Sequence, residues 1–365
     1  MKELEIKRKS YKTPIYLPDA TLGVVRGLDS KDLLGAGVKG VVVNTYHLHH
    51  RPGLEHLSEA GGIKAFMGFD GLVASDSGGW QIFSLIHRHG LPGKISDEGV
   101  KFADKDGGKK MKLFTPEDSI KMQFELKSDI VVCLDDFTPP DADRVTIEKS
   151  VNRTVLWAQR SKIEYERQLN IRGIERANAP VLMAVVQGGY DKSLRLQCCN
   201  DLSSIGFDMY GFGGYVVNED GLDLEISEYL ASIIPSGAYK FALGVGTPWQ
   251  IAMCYKFGWD IFDCTLPTRD ARHGRLYVYT GDYSNPSDLL TKGLHSHISI
   301  TSGKYFKDHF PISDSCDCLT CSNYTRSYLH HLFKVKDVSA YRLATIHNLR
   351  TYTRLIEALV ASDIR

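Results

Sequence analysis

Ile130-Val-Val-Cys-Leu-Asp135 is a short apolar run that stops on a carboxylate, and a run of this length without polar alternation reads as a strand buried on both faces. The same figure recurs on either side of it. Gly40-Val-Val-Val-Asn44 ends on an amide, Val181–Gln187 on another, and Ile261-Phe-Asp263 on a second carboxylate. With Thr13–Pro18, Gly71–Ser75, Met209–Gly213 and Phe241–Val245 the chain offers eight candidate strands. Helical stretches lie between them. Thr115-Pro-Glu-Asp118 and Thr247-Pro248 are capped helix starts with proline at the first position, and Arg144 to Asn170 carries Val145, Ile147, Val151, Val155, Leu156 and Ile163 at helical spacing. Strands alternating with helices predict parallel βαβ units, and eight of them predict an α/β fold of the (β/α)8 or TIM-barrel type.

In such a barrel the active site is built at the C-terminal ends of the strands. Here those ends carry Asn44, Asp76, Asp135, Gln187, Gly214, Gly244 and Asp263. Carboxylates and amides suit a small hydrogen-bonding ligand, and glycines let the backbone approach it. Beyond Asp263 the pattern changes: Arg269 to Pro311 is polar and poorly periodic, and helical patterning returns at Tyr324–His331 and Leu343–Leu359. This predicts a subdomain inserted near the C-terminus before the last barrel helix, with a barrel over residues 1–268, the subdomain over 269–350 and a returning helix over 351–365.

Composition narrows the class. The 365 residues hold 44 Lys+Arg against 44 Asp+Glu, with 43% hydrophobic and 24% charged residues, which excludes disorder, collagen and coiled coil. The longest apolar runs fall far short of the roughly 20 residues of a membrane span, and Met1-Lys-Glu-Leu-Glu-Ile-Lys-Arg-Lys9 lacks a secretory signal's apolar core, so a cytoplasmic protein is expected. Five of the eight cysteines are scattered as ordinary thiols. The other three crowd into Cys316-Asp-Cys318-Leu-Thr-Cys321, which brings three thiolates to one soft cation and requires a fourth ligand. Arg269, Arg272, His273 and Arg275 form a local basic run within a chain of zero net charge.

Asn44-Thr-Tyr-His-Leu48, Asp76-Ser-Gly-Gly-Trp-Gln81, Thr115-Pro-Glu117, Val186-Gln-Gly-Gly189, Gly244-Val-Gly-Thr-Pro248, Phe262-Asp-Cys264, Leu266-Pro-Thr-Arg269 and Ala271-Arg-His-Gly274 follow one another in order. With Cys316, Cys318, Cys321 and a distant His347, the chain over nearly its whole length resembles the bacterial-type tRNA-guanine transglycosylases. The resemblance implies exchange of the wobble guanine at position 34 of GUN-anticodon tRNAs for a 7-deazaguanine base, preQ1 or queuine, in queuosine biosynthesis. It implies Asp263 as nucleophile and Asp76 as general acid/base. Asp135 would read the base's N–H edge, Gln187 and the backbone of Gly214 its carbonyl oxygen, while Trp80 and Leu243 would cover its faces, with Ser77, Asn44 and Tyr215 also lining the site. Thr268, Arg269 and Arg272 would grip the anticodon stem-loop, with Arg275, Lys304 and Lys307 as further cations. Cys316, Cys318, Cys321 and His347 would hold one structural Zn2+ per chain, and the chain would work as a homodimer.

Several positions depart from the family pattern. Leu134-Asp-Asp-Phe137 stands for Phe-Asp-Glu-Cys, which puts a bulky ring beside the base edge. Gly213-Gly-Tyr-Val-Val-Asn-Glu219 keeps a side chain at Val217, which favours a smaller base such as preQ1 over queuine. Asp270 places a negative charge inside the arginine grip, and Leu17-Pro-Asp-Ala-Thr21 replaces Met-Pro-Val-Gly-Thr. With Arg365 as the last residue, a bacterial-type member without the extra RNA-binding domains of archaeal members is expected. Three rival readings are a metal-dependent amidohydrolase barrel prompted by His47-Leu-His49, a non-catalytic accessory subunit, and a relative that inserts deazaguanines into DNA. Too few histidines at later strand ends argue against the first, and retention of Asp76 and Asp263 against the second.

Overall fold

Eight parallel strands form the body of the chain: β1 (Ile15–Pro18), β2 (Gly40–Val43), β3 (Leu72–Ser75), β4 (Ile130–Val132), β5 (Val181–Val186), β6 (Met209–Phe212), β7 (Tyr239–Ala242) and β8 (Ile261–Cys264). The computed structural model describes residues 2–87, 92–103, 111–214, 217–218, 221–362 and 364–365. Each strand pairs with the next in the chain from β2 through β8, and β8 pairs with β1. The ring is drawn shut by a bridge between Asp19 and Val42, with Ala20 N donating to Val42 O at 2.7 Å. This is the expected (β/α)8 architecture.

Strand parity sorts the side chains. Ile15, Leu17, Leu72, Ala74, Ile130, Val132, Met183, Val185, Met209, Phe241 and Ile261 fill the barrel interior. Their neighbours Tyr16, Val41, Val73, Val131, Ala184, Tyr210, Ala242 and Phe262 face the surrounding helices. An N-terminal hairpin, Glu3–Ile6 with Lys9–Lys12, plugs the bottom: Leu4 and Ile6 join the interior cluster, and Lys7 reaches the buried Asp129 at 3.0 Å.

The helix starts expected at Thr115 and Thr247 both form, each with a reciprocal capping box and proline in the first turn. The helix expected from Arg144 runs Arg144–Ile171. Strand β4 is shorter than the sequence suggests, because Gln123 takes over its hydrogen bonding. The Gln123 side chain accepts from Val132 N at 2.7 Å and donates to Val132 O at 2.8 Å. A three-stranded antiparallel sheet, Gly93–Ser96, Gly99–Ala103 and Met111–Phe114, was not read from the sequence. Its Val100, Phe102 and Phe114 pack with Ile82, Leu134 and Trp157, which buttresses the helix Gly79–His87 beside the barrel mouth.

After β8 a short helix, Leu266–Arg272, leads into the inserted subdomain, built on the hairpin Arg275–Tyr279/His295–Ser299 and the helices Leu319–Asn323 and Arg326–Lys334. The chain then returns through one helix, Val338–Ala361, which runs unbroken past residue 350. Its Tyr352 packs on Tyr16 with ring centroids 4.8 Å apart and donates to Gly246 O at 2.7 Å, so this is the eighth barrel helix.

Candidate active site

At six of the strands the inward parity continues one layer higher, mostly with polar groups and glycine, and Asp135 joins them from the chain that leaves strand parity after β4. Going round the ring, β8 contributes Asp263, β2 Asn44, β3 Asp76, the segment after β4 Asp135, β5 Gln187, β6 Gly213 and Gly214, and β7 Leu243. The expected mouth residues are therefore brought together from seven strands.

Asp76 is the most thoroughly held. Its Oδ1 accepts from Thr45 N at 2.9 Å and Gly78 N at 3.2 Å, and its Oδ2 accepts from Asn44 Nδ2 at 2.5 Å. Asn44 in turn caps the helix Thr45–His50 by accepting from His47 N, so both ends of its amide serve to fix Asp76. Desolvation in the mouth raises the Asp76 carboxyl to about 7; the two backbone N–H groups pull it back, and the carboxylates of Asp19 and Asp263 push it up. Asp263 is raised to about 6, again chiefly by desolvation, against the hydrogen bond from Gly244 N at 2.9 Å. Gly244 has φ +73°, and that left-handed turn aims its N–H at the carboxylate.

Asp135 is likewise raised to about 6 by desolvation, and Gln187 opposes the rise by donating from Nε2 to Asp135 Oδ2 at 2.6 Å. Gln187 is itself buried, and its Oε1 has no hydrogen-bond partner among the described residues. Gly213 is needed beside it, because a Cβ there would lie 2.8 Å from Gln187 Nε2 and 2.6 Å from Val185. Ser77 is buried and turned back on its own loop, accepting from Gly79 N at 3.3 Å while its carbonyl takes the Ser119 hydroxyl at 2.7 Å. Trp80 is 37% exposed at the rim, edge-on to Phe137 with centroids 4.7 Å apart. Leu243 is half-buried against the barrel interior. Tyr215 lies outside the described residues, whereas Val217 is described and pinned by Tyr190, whose Oη accepts from Val217 N at 2.9 Å.

The basic run sits directly over the mouth because the helix Leu266–Arg272 begins two residues past the end of β8. Arg269 is exposed. Arg272 is half-buried, anchored to Thr268 O at 2.9 Å, and burial lowers its proton affinity, with Arg26 and Arg269 as like-charged neighbours. Thr268 is buried and donates to Thr265 O. Arg26 has no marker in the sequence, since it lies in the loop after β1, some 240 residues from the arginines it joins. Asp270 accepts from Tyr277 Oη at 3.1 Å and lies 4.0 Å from Arg275, so its charge is engaged on the subdomain side.

Below the basic run, Cys316, Cys318, Cys321 and His347 bring their ligand atoms within 4.8 Å of one another. The three sulfurs stand 3.6, 3.6 and 3.3 Å from His347 Nδ1, close to the edge of about 3.5 Å of a tetrahedron with zinc-like bond lengths. His347 Nε2 must donate to Tyr277 O, 2.6 Å away, because a carbonyl can only accept; in the neutral ring this leaves Nδ1 as a lone pair facing the sulfurs. The four residues can thus hold one metal ion, and no position is left for water. Among the described residues this is the one such group, and His47 and His49 are not part of it.

A sequence model described as queuine tRNA-ribosyltransferase matches residues 1–362. The chain belongs to the queuine tRNA-ribosyltransferase family. It is therefore a pentosyltransferase. A queuine tRNA-ribosyltransferase of Acinetobacter baylyi is 38% identical over 348 residues, covering 95% of this chain and 83% of the relative. That of Methylacidiphilum infernorum is 37% identical over 95% of this chain and 87% of its own length. A putative queuine tRNA-ribosyltransferase of Archaeoglobus fulgidus is 34% identical over 98% and 91%. No helix among the described residues is long and apolar enough to cross a membrane.

Proposed function

We propose that this chain exchanges the wobble guanine of GUN-anticodon tRNAs for a 7-deazaguanine by double displacement through a covalent Asp263–ribosyl intermediate. The observation that carries the reading is the meeting in one mouth of Asp76 and Asp263, both raised by desolvation, with the hydrogen-bonded pair Asp135 and Gln187 in the same ring. Ionised Asp263 attacks C1′ of the ribose and the bond to guanine breaks, while protonated Asp76 gives its proton to the leaving base. The incoming base returns a proton to Asp76 as its nitrogen displaces Asp263 from C1′, which restores the original configuration. Asp135 accepts the purine's N–H donors, Gln187 serves its carbonyl oxygen, and Trp80 and Leu243 enclose its faces. Phe137, against Trp80, and the pinned Val217 narrow the space beside the base, which supports preQ1 over queuine. Arg269 and Arg272 grip the anticodon backbone, where charge and reach suffice.

The metal in this reading is zinc, which supplies folding energy to the subdomain and takes no part in the exchange. The working form is a cytoplasmic homodimer; exposed Phe306, Phe310, Val335 and Val338 on the subdomain support an assembly surface there.

The test is exchange of labelled guanine into a GUN-anticodon tRNA, followed by competition with preQ0, preQ1 and queuine. Label at position 34 with preQ1 the strongest competitor is expected. No incorporation by folded, metal-loaded protein would overturn the reading. The pH dependence follows with its sign: Asp263 must be ionised, so kcat/KM falls as pH drops through about 6, and Asp76 must be protonated, so it falls again as pH rises through about 7. A bell with a narrow top between those values is expected; a profile flat from pH 5 to 8 would remove this pair from the rate-determining chemistry.

A further inference from the structure

The segment Leu17-Pro-Asp-Ala-Thr21, which departs from the family pattern, has its own place in the mouth. Ile15 and Leu17 point into the barrel, so by strand parity Asp19 points inward as well, one layer above Leu17. Register fixes its neighbours: Leu17 is opposite Asp263 on β8, and Asp19 bridges Val42 on β2. Asp19 thus completes the polar ring at the one strand left without a member, between Asp263 and Asn44, the residue that holds Asp76. Its carboxylate is half-buried and accepts from the Thr21 hydroxyl, and Thr21 O takes Asn44 N at 3.4 Å.

We infer that Asp19 is a positioning residue of the reaction proposed above, a third carboxylate whose charge acts on Asp263 and Asp76 together and sets the pH range in which they work. The groups that face it are Asp263 from β8, Asn44 from β2 and Asp76 from β3. The helix Leu266–Arg272 adds Arg272, beside which stand Arg26 and Arg269. Burial dominates the proton affinity of both reacting acids, and Asp19 adds to it on both while favouring the charged form of Arg272. The valine of the family pattern would supply none of this.

Asp19→Asn separates charge from structure, because asparagine still accepts from Thr21 but is neutral. In tRNA-free protein, 13C-detected titration of the Asp76 and Asp263 carboxyls should show both moving to lower pH by about half a unit, the size expected of like charges roughly 8 Å apart under strong screening. Both limbs of the kcat/KM bell should move the same way, and Asp19→Glu should restore them. Titrations and limbs that coincide with those of the parent would overturn the inference, even if stability changed. The carboxyl titration needs no turnover, so a parent that failed to exchange guanine would sink the proposed reaction and leave Asp19 still decided.

Discussion

Replacing Asp263 with asparagine is expected to lower base exchange by at least about 10^4-fold, the scale on which removing a nucleophile acts, and to abolish the protein–tRNA adduct trapped on a denaturing gel. Asparagine keeps an acceptor for Gly244 N, so the local hydrogen bond survives. The fold should hold equally well. The carboxyl of Asp263 is raised to about 6 in the folded chain, so its favourable contribution is lost as pH rises through that value, and ionising it in the mouth costs stability that asparagine does not. At pH 8 the Tm of Asp263→Asn should therefore equal or exceed that of the parent. Turnover within tenfold of the parent, with an adduct still trapped, would take Asp263 out of the mechanism.

Cys318→Ser is expected to lose bound zinc and thermal stability together. Cys318 is buried, its sulfur lies 3.6 Å from His347 Nδ1, and it also accepts from Cys321 N at 3.3 Å, which caps the helix Leu319–Asn323. Binding energy at a structural zinc site is folding energy, on the order of 10 kcal/mol, and a hydroxyl is a poor substitute for a thiolate. The damage should reach beyond the subdomain. His347 shares the helix Val338–Ala361 with Tyr352, whose ring packs on Tyr16 of β1, and Asn348 beside it donates to Pro267 O and Arg275 O at 3.0 Å each. Elemental analysis should find well under one zinc per chain, and base exchange should fall with the loss of folded protein. One zinc retained per chain at the parent's Tm would mean that Cys318 is not a ligand.

The eight strands were legible because their signal is local: short apolar runs closed by turns and followed by helices, several of them with side-chain caps, as at Thr115 and Thr247. The limits shifted by one to three residues at most strands, most visibly from Phe241–Val245 to Tyr239–Ala242 and at β4, where the Gln123 side chain takes up the hydrogen bonding of Val132. The sheet over Gly93–Phe114 escaped because its strands are short, rich in lysine and glycine, and only half apolar, so that period 2 barely rises above the background. The Cys3His set was legible in part from spacing. The fourth member entered through resemblance, since a separation of 26 positions from Cys321 to His347 carries no spacing rule.

By itself, the sequence determined which chemical groups end each strand, because strand parity and turn residues act over a few positions. Tertiary structure alone decided how those groups meet. Ring closure sets β1 between β8 and β2, and that placement turns Asp19 from a departure in a loop into a neighbour of the carboxylates Asp263 and Asp76. It also brings Arg26 to Arg272. The proton affinities of Asp76, Asp135 and Asp263 are decided there too, because desolvation and like-charge repulsion depend on groups far apart in the chain and close only once the barrel has closed.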